Sequence, residues 1–171
     1  MSTGKRIITE SAFNQLGSSM QMLKILVDVC EDDVWHTVYY GHPFWYHVYH
    51  VAYFIDYWLR EYYSNSSFKS MEFNELIPPE FKHPVDSSLS ICRADMLEYV
   101  HLLFIKSERF FARLDDKRLS QPAVGDRHDL TYADVIMTQL RHIMYNIGYL
   151  NGILRGLGLQ ESDWFAYNEN D

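Results

Sequence analysis

Four side chains carry the chemistry that residue type and spacing allow in this sequence: His47, His50, His142 and Asn146. The stretch HPFWYHVYHVAYFIDYWLR, from His42 to Arg60, sets three histidines into a run that otherwise reads as a helix. At about 100° per residue, Phe44, Val48, Val51, Phe54, Ile55, Trp58 and Tyr62 form one apolar arc, with His47 inside it and His50 at its edge. In a later segment Ile136, Leu140, Ile143, Ile147, Leu150 and Leu154 define a second arc, flanked by His142 and Asn146. Those two are four apart, so their side chains stack one turn above the other. Such a pair, met by a histidine from a facing helix, supplies ligands that converge. Zinc and its neighbours commonly take three protein ligands, leaving a position for water where the site is catalytic. Spacing alone leaves a second reading open, half-buried histidines bonded to a tyrosine or a carbonyl.

The remaining polar candidates point elsewhere. Glu98 and His101 make one E-x-x-H pair, but a di-iron bundle needs two such pairs and further glutamates, and no second pair occurs. His101 reads as a core polar contact. His36, His42, His83 and His128 sit at segment ends or beside prolines and read as solvated. The sequence has no nucleophile elbow, phosphate-cradling glycine loop, HExxH or CxxC.

Positioning these residues requires long helices. Periodicity predicts a first from about Glu10 to Cys30, a second after Gly41 to about Tyr63 with Pro43 at its first turn, and a third from about Ile91 to Leu114. The third would bury Leu97, His101, Phe104, Ile105, Glu108, Phe111 and Ala112. A fourth begins at a cap on Thr131 or Asp129 and reaches about Leu157. Between the second and third, Phe68 to Ser90 holds Pro78, Pro79 and Pro84 and little periodicity, and it reads as a long surface connection. The fold expected is all-α, a four-helix bundle with a long connection between the second and third helices.

Composition agrees with one domain over residues 1–171. A chain of this length with 47% hydrophobic and 16% aromatic residues can bury a substantial core, and its 8 Gly and 5 Pro are few for a turn-rich sandwich. The formal charge of -8, without a dense basic cluster, argues against nucleic acid or an anionic membrane surface as partner. The N-terminal residues lack the apolar core of a signal peptide, and no run approaches the roughly 18 apolar residues of a membrane span. A cytoplasmic protein is expected. Cys30 and Cys92 are too few and too far apart for a disulfide framework or a thiolate metal site, and read as buried structural thiols.

Three stretches resemble the DinB-like superfamily of DinB/YfiT-type metal-dependent enzymes. FWYHVYHVAYFIDYWL is similar to the family's second-helix motif, with His50 at its metal-ligand position, Asp56 at its acidic position and His47 matching an additional histidine of some branches. CRADMLEYVHLL is similar to the opening of the third helix. QLRHIMYNIGYLNGILRGLG looks like the fourth-helix H-x-x-x-H pattern, with His142 as first ligand, Gly148, Arg155 and Gly158 at the later positions, and Asn146 where the family has its second histidine. The resemblance runs from about Phe13 to Gly158 in element order and length.

The resemblance implies a DinB/YfiT-type four-helix bundle, often a homodimer, and a divalent metal ion, zinc or nickel, held by three histidines beside an open pocket. It implies a small-molecule substrate, a low-molecular-weight thiol in a thiol S-transferase, or the substrate of a related hydrolase or isomerase. His50 and His142 would be ligands, while His47 or Asp56 could orient a ligand or accept a proton. The asparagine bears on all of this, because an amide offers zinc or nickel only a carbonyl oxygen. Three outcomes follow: Asn146 ligates through oxygen, His47 substitutes from one turn away, or the site binds no metal. In the last case the protein is a catalytically inactive, small-molecule-binding or stress-associated relative. Trp45, Tyr46, Tyr49, Tyr145 and Tyr149 would then suit an apolar ligand or serve as ordinary core and interface.

Overall fold

The computed structural model describes residues 6–60, 77–82, 84–123 and 129–166. Within them the chain is mostly α-helical, in the order α1 (Ile7–Val29), α2 (Asp32–His36), β1 (Val38–Tyr39), β2 (His42–Pro43), α3 (Phe44–Trp58), α4 (Arg93–Phe111), α5 (Asp116–Leu119) and α6 (Tyr132–Gly156). No helix among the described residues is long and apolar enough to cross a membrane.

The four long helices arise where the apolar spacing places them. On α1, Leu16, Met20, Leu23 and Val27 recur every three or four residues and are fully buried. Each such side chain contributes about 1.5–3 kcal/mol on leaving water. α6 starts at a capping box, in which the Asp134 amide donates to Thr131 Oγ1 (3.1 Å) and the Thr131 amide to Asp134 Oδ2 (2.9 Å). It ends at Gly158, whose φ of +71° and amide bond to Arg155 O (3.0 Å) close the last turn.

α1 packs on α4 and α6, and α3 packs on the same two helices. Polar clasps fix the α1–α4 pairing at both ends. Asp116 Oδ1 accepts from the amide and the hydroxyl of Thr9, both at 2.9 Å, beyond the C-terminus of α4. At the other end Arg93 donates to Cys30 O (2.8 Å) and to Asp32 (2.9 Å). The two helices therefore run antiparallel. α3 and α6 do likewise, since His50 meets His142 while Tyr40, before α3, meets Tyr149 late on α6.

A short hairpin precedes α3. β1 and β2 pair Tyr39 with His42 around Tyr40 and Gly41, whose positive φ values of 53° and 93° suit a two-residue hairpin turn. The pairing is two residues long, so periodicity could not announce it.

α4 corrects the predicted face. Its buried side is Met96, Tyr99, Val100, Leu103, Ser107, Phe110 and Phe111, whereas His101 and Glu108 are exposed. Apolar residues surround much of this helix, so two arcs compete, and contacts to α3 choose between them. Tyr99 Oη donates to Asp56 Oδ2 (2.7 Å), and Lys106 Nζ donates to Asp56 O (2.6 Å) and forms an ion pair with Asp56 Oδ1.

The long connection is also more than surface. Ile77 is buried, and successive carbonyls lie along α3: Ile77 O accepts from Tyr49 Oη (2.9 Å), Pro78 O and Glu80 O from Tyr46 Oη (2.5 and 2.9 Å), and Pro79 O from His50 Nδ1 (2.7 Å). Residues 46, 49 and 50 share a helical face, and so act as a row of donors for an extended strap. The helix expected to reach about Tyr63 ends at Trp58, where Leu59 caps it; Tyr63, His83 and His128 lie outside the described residues.

Candidate functional site

The site forms where α3 and α6 cross. His50 Nε2 lies 3.1 Å from His142 Nε2. The strap fixes the tautomer of His50: Pro79 O can only accept, so Nδ1 carries the proton and Nε2 accepts a hydrogen bond from His142 Nε2–H; as a metal ligand through Nε2, His142 would carry its proton on Nδ1 instead. A backbone carbonyl on the far ring nitrogen is the usual support of a metal-ligating histidine. Ligand nitrogens about 2.0–2.1 Å from a tetrahedral zinc lie about 3.3 Å apart, close to the spacing found. Burial lowers the pKa of both imidazoles, that of His142 to about 4 with His50 contributing. Both rings are thus neutral near pH 7, the form that ligates.

A cavity of about 290 Å³ opens beside the pair, lined by His50, Phe54, Trp58, Thr138, Gln139 and His142. Two of the lining residues carry a buried polar atom, Gln139 Oε1 and His142 Nδ1, without a hydrogen-bond partner among the described residues. Phe54 packs edge-on to both histidines, 4.9 Å from His50 and 5.6 Å from His142 between ring centroids. Phe81, from the strap, stacks on the other side of His50 at 4.3 Å.

The other expected residues lie around this centre in different roles. Asn146 is buried on α6 one turn past His142, and its Nδ2 donates to His142 O (2.8 Å). His47 is buried with Nε2 3.1 Å from Tyr39 O, and its ring packs on Tyr149, Phe81 and His42. It ties the hairpin to α3. Asp56 is engaged by Tyr99 and Lys106 on the α4 side of the same helix. Arg155 holds Glu161 through two hydrogen bonds of 2.8 and 2.6 Å at the end of α6. His42, expected in solvent, is buried and stacked 5.0 Å from Tyr46. The hairpin and strap enclose it, and neither was legible in the sequence.

Two of the four candidates, His50 and His142, are thus brought together. Among the described residues no group of three or more His, Cys, Asp or Glu side chains could hold a metal ion. No family model matches the chain, and no curated protein or solved structure matches it. The functional reading therefore stands on the site itself.

Gln139 is the residue that sequence reasoning missed. It precedes His142 by three positions, the same spacing that drew attention to Glu98 and His101, and it lines the cavity with both histidines. A glutamine in an apolar arc carries no motif, so only its burial and orientation mark it.

Proposed function

We propose that the chain is a DinB-like four-helix bundle of DinB/YfiT type with a divalent metal site, zinc or nickel, between α3 and α6. The observation that carries this reading is the 3.1 Å approach of the Nε2 atoms of His50 and His142, with His50 Nδ1 held by Pro79 O. Two neutral imidazoles from facing helices fit such an ion. A bound ion of this kind lowers the pKa of a coordinated water or thiol and yields a nucleophile at neutral pH.

The protein's own residues would do the remaining work. His50 and His142 hold the ion, Pro79 O orients His50, and Phe54 and Trp58 exclude water from one side of the cavity. The substrate class that fits is a small molecule with an apolar body and a donor head, such as a low-molecular-weight thiol, in a thiol S-transferase or hydrolase reaction. The resemblance that motivates this reading also implies a homodimer, and the proposed location, from the sequence expectation, is the cytoplasm. Exposed Ile8, Met137 and Trp164 beside the α1–α6 groove support a second copy as partner.

A second reading, a small-molecule-binding relative without a working metal site, is favoured by Asn146, which does not line the cavity and leaves two histidines alone as nitrogen donors there. Elemental analysis of protein purified without chelator distinguishes the two. The metal-dependent reading expects about one zinc or nickel per chain, lost in His50→Ala and His142→Ala. Metal-free wild-type protein that also fails to bind added zinc or nickel would overturn it.

A further inference from the structure

We infer that the third protein donor of this site is Gln139, through Oε1, and that Asn146 is not a ligand; the inference rests on the metal reading above. Gln139 is 1% exposed, and its Oε1 has no hydrogen-bond partner among the described residues. An unpaired buried amide oxygen costs about 1–3 kcal/mol, so a cation that it could coordinate would offset a standing penalty. Its position on α6, one turn before His142, gives it the same face as that histidine. It borders one cavity with His50 and His142, which Asn146 and His47 do not line.

The two donors named by the sequence are turned to other work. Asn146, held by the bond from its amide nitrogen to the carbonyl of His142, does not line the cavity, and His47, whose Nε2 is occupied by Tyr39 O, does not line it either. Gln139 instead has an oxygen without a hydrogen-bond partner among the described residues, on a side chain that borders the same cavity as the two imidazoles. Two neutral nitrogens and one neutral oxygen leave the ion its full double charge. The rest of the cavity lining, Phe54, Trp58 and Thr138, then suits an anionic head, a thiolate or carboxylate, on an apolar body.

The test uses the full chain, stripped of metal with chelator and titrated with zinc and nickel by calorimetry, with cobalt(II) absorption reporting the donor set. Gln139→Leu should weaken zinc binding by about tenfold or more, and Asn146→Ala should change it by less than about threefold. Gln139→His should tighten binding and shift the cobalt bands toward a three-nitrogen environment. Gln139→Glu, which keeps the shape, should also bind more tightly, and it serves where the leucine variant fails to fold. Wild-type affinity in Gln139→Leu, or a loss confined to Asn146→Ala, would overturn the assignment of Gln139 while leaving the metal reading intact. Unchanged affinity and spectra in the histidine and glutamate variants would do the same. A wild-type chain that binds none of the three ions would overturn the metal reading itself.

Discussion

His50 Nε2 and His142 Nε2 stand 3.1 Å apart between α3 and α6, although 92 positions separate them in the chain. One helix contributes a lone pair whose direction is fixed by the Pro79 carbonyl, and the other brings a ring whose remaining nitrogen is buried without a partner among the described residues.

An imidazole placed at position 146 probes this geometry. Asn146→His should change zinc affinity by less than about threefold, because position 146 does not line the cavity that His50, His142 and Gln139 share. Calorimetric titration of both proteins checks this. A gain of about tenfold or more would mean that position 146 reaches the ion.

The pH dependence of the metal-free protein follows from His142. Its pKa falls from 6.5 to about 4 on folding, chiefly through burial. Between those values the unfolded chain binds the proton and the folded chain does not, so stability rises with pH across the window. This contribution is complete above about pH 6.5 and is lost as pH falls toward 4. Melting curves in chelator, at steps from pH 7 to 4, should show a steeper loss for the wild type than for His142→Gln. Parallel curves would refute the assignment.

The Asp56 cluster should dominate the pairing of α3 with α4. Asp56→Ala removes the acceptor of Tyr99 and the buried partner of Lys106, and should destabilise by about 3–5 kcal/mol. Tyr99→Phe, which leaves the ion pair, should cost about 1–2 kcal/mol. Urea denaturation of the two variants and of their combination gives the coupling. A loss below about 1 kcal/mol for Asp56→Ala would contradict a buried clasp.

The two thiols should behave differently. Burial pushes Cys30 up to about 12, with Arg93 opposing, and it is almost completely enclosed, whereas Cys92 is exposed at the cap of α4. A thiol reagent at pH 8 should therefore label Cys92 quickly and Cys30 only after denaturation. Mass spectrometry of native and urea-treated samples reads the sites, and rapid labelling of Cys30 in the native protein would rule out its burial.

Capping of α6 offers a stability test away from the site. Thr131→Ala breaks the reciprocal bonds with Asp134 and should cost about 1 kcal/mol without changing metal affinity. Thermal melting and a zinc titration on the same variant check both halves of this expectation.

The sequence by itself determined the long helices, because the three-to-four-residue apolar spacing of Leu16, Met20, Leu23 and Val27, or of Ile136, Leu140, Ile143, Ile147 and Leu150, is a local property of the chain. It also singled out His50 and His142, whose residue type and place at the edge of an apolar arc mark them. Only the tertiary structure decided which polar groups meet. It turned α4 so that His101 faces solvent, moved His47 and Asp56 into contacts with the hairpin and with α4, and enclosed His42 beneath the strap. It also placed Gln139 beside both histidines. The reason is physical: apolar periodicity fixes which face of a helix is buried, but the partner of a buried polar group depends on where distant segments cross. Here that depended on a hairpin two residues wide and a strap held by its carbonyls, neither of which leaves a periodic trace.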